Sequence, residues 1–165
     1  MPTVPLHPML VHVPLALAVL VPVAALAAWL LIAKGRAGRG AWLAVMAAQA
    51  VLVGSALVAL RSGEPEEERV ERRVSETYIE RHEEAAQIFV WSAGAVLLLG
   101  SLGLAGPARA RRLIMAAATA GTMVVAVLGV RTGKAGGELV YIHGAAGSGS
   151  VAQSAPADGH RDRGH

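Results

Sequence analysis

Four runs of the chain carry no Asp, Glu, Lys or Arg over a length that would cross a lipid bilayer: Leu10–Ala33, Trp42–Leu60, Ala86–Ala105 and Leu113–Val130. A helix crosses the hydrocarbon with about 20 apolar residues, within a range of about 17–25. Each backbone polar group there must be satisfied inside its own segment, so each run is predicted to be a helix. The expected fold is all-α, a transmembrane four-helix bundle over 1–146, with a disordered Gly, Ala and Ser-rich tail over 147–165. Pro14 and Pro22 lie in the first run and are expected to kink it, since each removes an N–H donor. No basic segment precedes that run, and it is longer than the roughly 7–15 residues of a signal-peptide core, so an uncleaved anchor is expected.

Composition agrees. The apolar fraction is 54% with a mean hydropathy of +0.49, above the roughly 45–50% of a soluble domain. Alanine, leucine and valine dominate, a recipe that lets membrane helices approach closely. There is no cysteine, which excludes disulfides, iron–sulfur ligation, covalent c-type haem and a cysteine nucleophile. The net charge of +3 does not point to nucleic acid, because the basic residues sit beside apolar segments, as membrane topology requires.

Charge placement orients the spans. Lys34, Arg36 and Arg39 lie between the first and second runs, and Arg109, Arg111 and Arg112 between the third and fourth, with no acid in either loop. All 12 Asp and Glu residues lie on the other side, most of them between Glu64 and Glu84. Basic residues in short loops mark the cytoplasmic face. Both termini and the charged segment 61–84 are therefore expected to be non-cytoplasmic. That segment reads as a short helix outside the bilayer, a turn near Ser75–Thr77, and an early start of the third helix near Tyr78. A plain solvated loop is the simpler alternative.

A shift of 70 residues superimposes the first helical hairpin on the second without a gap. His12 falls on His82, Arg39 on Arg109, Arg61 on Arg131 and Gly63 on Gly133. The bundle is thus expected to be two pseudo-repeated hairpins related by an axis along the membrane normal. Shared topological demands on an apolar chain offer the competing explanation.

Outside the tail, the histidines are His7, His12, His82 and His143, all at the outer ends of the runs. Two neutral imidazoles on facing helices are the ligand set of a non-covalent b-type haem in a bundle. His12 and His82 are the candidate axial ligands, with room for the macrocycle expected beside Gly94, Gly121 and the alanines. Arg61 and Arg131 are the candidate propionate clamps, since a guanidinium fork matches a carboxylate. A second reading is a Zn or Cu site built from His7, His12, His82 and His143, with Glu83 or Glu84. A third is a structural subunit without cofactor, its interfacial imidazoles bonded to water, head groups or helix-end carbonyls. Gln49 and Gln87 read as interhelical glue. Gly133, Gly136 and Gly137 fall beyond the fourth run and do not lead into a phosphate-binding helix. Ala50/Gly54 and Ala117/Gly121 are small-xxx-small pairs, suited to a homo-oligomer or to packing within the chain. No catalytic triad is visible, so an enzyme is not the expected reading.

Three stretches carry a family likeness. Leu6-His7-Pro8-Met9-Leu10-Val11-His12-Val13-Pro14-Leu15-Ala16 resembles the opening of the bacterial membrane-protein family called domain of unknown function 2231. Glu80-Arg81-His82-Glu83-Glu84-Ala85 resembles its middle motif, and the stretch from Thr132 to Gly144 its closing one. The resemblance covers about residues 6–146. It implies four transmembrane helices in a bacterial cytoplasmic membrane. It also implies kinship with membrane-bound redox proteins, which favours electron transfer. A redox partner protein or a quinone is a candidate partner for such a role. The closing motif commonly has a histidine where this chain has Lys134, so that family ligand position is absent.

Overall fold

The computed structural model describes residues 10–70 and 76–141. They form α1 (His12–Ala33), α2 (Arg39–Val70), α3 (Glu76–Leu102) and α4 (Ala108–Tyr141). The tail expected over 147–165 lies outside the described residues, as do His7 and His143.

The two tight connections, 34–38 and 103–107, sit at the basic end of the bundle. After α1, Gly35 takes φ +69°, a left-handed conformation that costs glycine little. The Gly35 N–H then donates to the Ile32 carbonyl (3.1 Å) and the Arg36 N–H to Leu31 (2.8 Å). This is the paired bonding of a Schellman cap, which satisfies the carbonyls a helix end leaves over. Gly106 has φ +82°, and Pro107, which cannot continue a helix from within, stands just before α4. Loops this short force antiparallel neighbours. Among the described residues each helix packs on two others: α1 on α2 and α4, α3 on α2 and α4, with no direct contact across either diagonal.

Small residues make this packing close. Ala18, Val21, Ala25 and Ala28 repeat at helical spacing along the inner face of α1 and are buried. On α4 a Cβ at Gly129 would come within 3.2 Å of both Ala18 Cβ and Phe89 Cε2, and one at Gly121 within 2.7 Å of Val96 Cγ2. The notch expected at Gly121 is thus filled by Val96, while nothing lies within 4 Å of Gly94 on its Cβ side. Between α2 and α3, Trp42 Nε1 donates to the Gly100 carbonyl (2.9 Å) and Gln49 Nε2 to the Ala93 carbonyl (3.0 Å). Gln49 is therefore the glue its sequence context implies. Gln87 instead donates to Glu83 of its own helix (2.9 Å).

What the bundle buries is the smaller part of each helix. Only 28–33% of each apolar window is inside, and the outward residues include Val23, Leu98, Leu113 and Val130, each more than half exposed. Soluble proteins rarely expose apolar patches beyond a few hundred Å². Four helices long and apolar enough to cross a membrane, with apolar flanks facing out, make this an integral membrane protein.

Two readings of the sequence change here. The charged segment after the second run is no separate helix, since α2 continues unbroken to Val70. Gly133, Gly136 and Gly137 do not lie beyond the fourth helix but inside it, because α4 runs to Tyr141. Their low helix propensity is outweighed by packing: Leu15 of α1 reaches Gly133, and His82 of α3 reaches Gly136.

Candidate functional site

Alternating helix direction brings the start of α1, the last third of α2, the start of α3 and the last third of α4 to one end of the bundle, opposite the two short connections. Every candidate ligand among the described residues is there. At this end α3 and α4 are tied by Thr132, whose hydroxyl lies 3.0 Å from the Ala85 carbonyl of α3 and 3.0 Å from Leu128 of its own helix. That contact sets the register one turn below His82.

His82 is half-buried, with its ring against the α4 backbone. A Cβ at Gly136 would lie 3.0 Å from Cε1, 3.5 Å from Nδ1 and 3.6 Å from Nε2. Glycine here is what admits an imidazole between the helices. His12 stands at the first residue of α1 and is exposed. The helices that carry His12 and His82 are diagonal in the ring, as are those that carry Arg61 and Arg131, so neither pair is in direct helix–helix contact. Arg61 is exposed on α2. Among the described residues no three His, Cys, Asp or Glu side chains converge as a metal site.

Arg131 belongs to a different constellation. It lines an open groove of about 530 Å³ with Tyr78 and Arg81 of α3 and with Lys134, Ala135 and Glu138 of α4. Tyr78 and Arg81 fall at i,i+3 on α3, and Arg131, Lys134 and Glu138 at i, i+3 and i+7 on α4, so each set shares a helix face. His82 is not part of this lining, being turned about 100° from Arg81 around the helix. Lys134 Nζ sits 3.9 Å from Glu138 Oε1, with both side chains well exposed, an arrangement of little energetic weight. Arg81, Lys134 and Tyr78 were not singled out by sequence reasoning as a binding set. Their i,i+3 spacings were the available signal, but the pairing of the two helix faces was not. A second open groove, at the basic end, is lined by Ala108, Arg109, Arg112 and Leu113 of α4 alone.

The family model described as predicted membrane protein (DUF2231) matches residues 3–149. The chain belongs to the DUF2231 family. No curated protein and no solved structure matches it. The DUF2231 match agrees with the membrane-spanning bundle, and the description names no reaction.

Proposed function

We propose that this membrane protein binds a non-covalent b-type haem at the histidine end of the bundle and passes electrons there. The observation that carries the reading is His82, a half-buried imidazole wedged against Gly136 at the end that also bears His12, Arg61 and Arg131. His82 and His12, the latter from the first turn of α1, would supply the two imidazole nitrogens that hold the iron. Arg61 and Arg131 would offer guanidinium forks to the propionates at the same end of the bundle. Bound there, haem would supply one-electron chemistry. Leu15 against Gly133 and Ala18 against Gly129 fill the α1–α4 contact further down. A haem held by His12 and His82 would therefore have to sit at the tip of the bundle, above Leu15.

The two hairpins as a pseudo-repeat, the non-cytoplasmic termini and a bacterial inner-membrane location belong to the same reading, as does a redox partner protein or quinone. What supports them is the register of His12/His82 and Arg61/Arg131 and the basic loops at the opposite end. The test is the colour of the purified protein. Expressed with adequate haem and extracted in mild detergent, it should show a Soret band, with a low-spin spectrum abolished by His82→Ala and by His12→Ala. A colourless preparation sinks the proposal. Stoichiometric Zn or Cu in such a preparation, lost on His12→Ala and His82→Ala, would instead favour the transition-metal alternative. A preparation with neither, recovered with a partner, would favour a structural subunit.

A further inference from the structure

We propose that the groove between α3 and α4 at the histidine end binds the phosphate of an anionic phospholipid. Among the described residues the lining carries the cations Arg81, Arg131 and Lys134 and one carboxylate, that of Glu138. Glu138 is engaged with Lys134, and among the described residues neither Arg81 nor Arg131 has an ion-pair partner. Glu80, Glu83 and Glu84 of α3 do not line the groove, and Glu83 accepts from Gln87. Two guanidiniums on opposite walls of one groove repel each other, and an oxyanion between them reverses that energy. Their forks suit phosphate oxygens, and Tyr78 lines the same groove.

The position of the groove selects a lipid over a soluble phosphate. Arg131 is the first charged residue after the apolar run of α4, so the groove opens at the boundary between hydrocarbon and water. Below it, on the same face of α4, lie Val127 and Val124, four and seven residues earlier, and on α3 Ile88, seven residues after Arg81. All three are exposed, at 59%, 58% and 47%. A cationic groove thus caps an apolar track that faces the bilayer, matching a headgroup and the acyl chain beneath it. Basic pockets between transmembrane helices hold anionic headgroups by this chemistry.

The proposal shares Arg131 with the haem reading but is scored separately: the readout is retained lipid, which can be measured on a colourless protein. The full chain is placed in nanodiscs of phosphatidylcholine doped with phosphatidylglycerol, then released and weighed by native mass spectrometry. Wild type should retain phosphatidylglycerol in preference to phosphatidylcholine. Arg81→Gln with Arg131→Gln should lower retention by about fivefold per arginine, with helix content by circular dichroism unchanged. Lys34→Gln with Arg36→Gln, which removes two charges at the other end, should leave retention as in wild type. Arg81→Lys with Arg131→Lys, which keeps the charge but not the fork, should lose less than the glutamine pair. Equal retention by the glutamine pair overturns the site. Displacement of the lipid by excess inorganic phosphate overturns lipid as its occupant.

Discussion

The imidazole of His82 on α3 packs against α4 at Gly136, so closely that a Cβ there would stand 3.0 Å from Cε1. The half-buried ring can yield by a few tenths of an ångström, and alanine brings about 1 kcal/mol of helix propensity over glycine. Gly136→Ala should therefore be close to neutral in thermal unfolding in detergent. Gly136→Leu leaves no such room and should cost about 1–3 kcal/mol, most of it recovered when His82→Ala is added. An equal cost of Gly136→Leu in both backgrounds would show that the two residues do not meet.

Gly121 offers the opposite case on the same helix. Its virtual Cβ meets Val96 Cγ2 at 2.7 Å, and a β-branched side chain has little rotamer freedom with which to retreat. Gly121→Ala should cost about 1–3 kcal/mol, and Val96→Ala should relieve it. Gly137 has nothing within 4 Å, so Gly137→Ala should stabilise by up to about 1 kcal/mol. Opposite signs for the two substitutions, read as unfolding midpoints in one detergent, check the packing of α4.

These glycines also mark where sequence reasoning stopped short. The four spans were legible because charge-free runs of spanning length admit one backbone solution. The end of α4 was not, since Arg131 closes the apolar run and three glycines follow within six residues. Gly121, Gly129, Gly133 and Gly136 recur at spacings that keep one helix face, which was the readable hint. Only contact with Val96, Phe89, Leu15 and His82 explains why the helix holds. Charge pattern likewise gave depth in the membrane but not direction around a helix. Arg81 and His82 are neighbours in sequence, yet one lines the lipid-side groove and the other packs on Gly136. The grouping of Arg131 with Arg81 and Lys134, and not with His82, could not be read without the pairing of α3 with α4.

Gln49 is fully buried in mid-bundle, where its Nε2 donates to the Ala93 carbonyl at 3.0 Å. Its Oε1 is buried with no hydrogen-bond partner among the described residues. Interhelical hydrogen bonds in membranes average only about 0.6 kcal/mol, and removing the orphan oxygen offsets part of even that. Gln49→Leu, which keeps the volume, should change stability by less than about 1 kcal/mol. Gln49→Ala opens a cavity and should cost about 2–5 kcal/mol. If both substitutions cost the same, the hydrogen bond and not the packing is what matters.

The orientation of the bundle can be tested against a clean background, because the chain has no cysteine. Gly38 lies in the connection at the basic end and Glu84 at the histidine end, and both are exposed. With Lys34 and Arg36 in one short connection, Arg39 just after it, and Arg109, Arg111 and Arg112 just after the other, retention of positive charge should keep both connections inside the cell. In intact cells a membrane-impermeant maleimide should label Glu84→Cys, and label Gly38→Cys only after permeabilisation. The reverse pattern would place the histidine end and its groove in the cytoplasm. A redox partner would then have to be sought there, and the lipid in the inner leaflet.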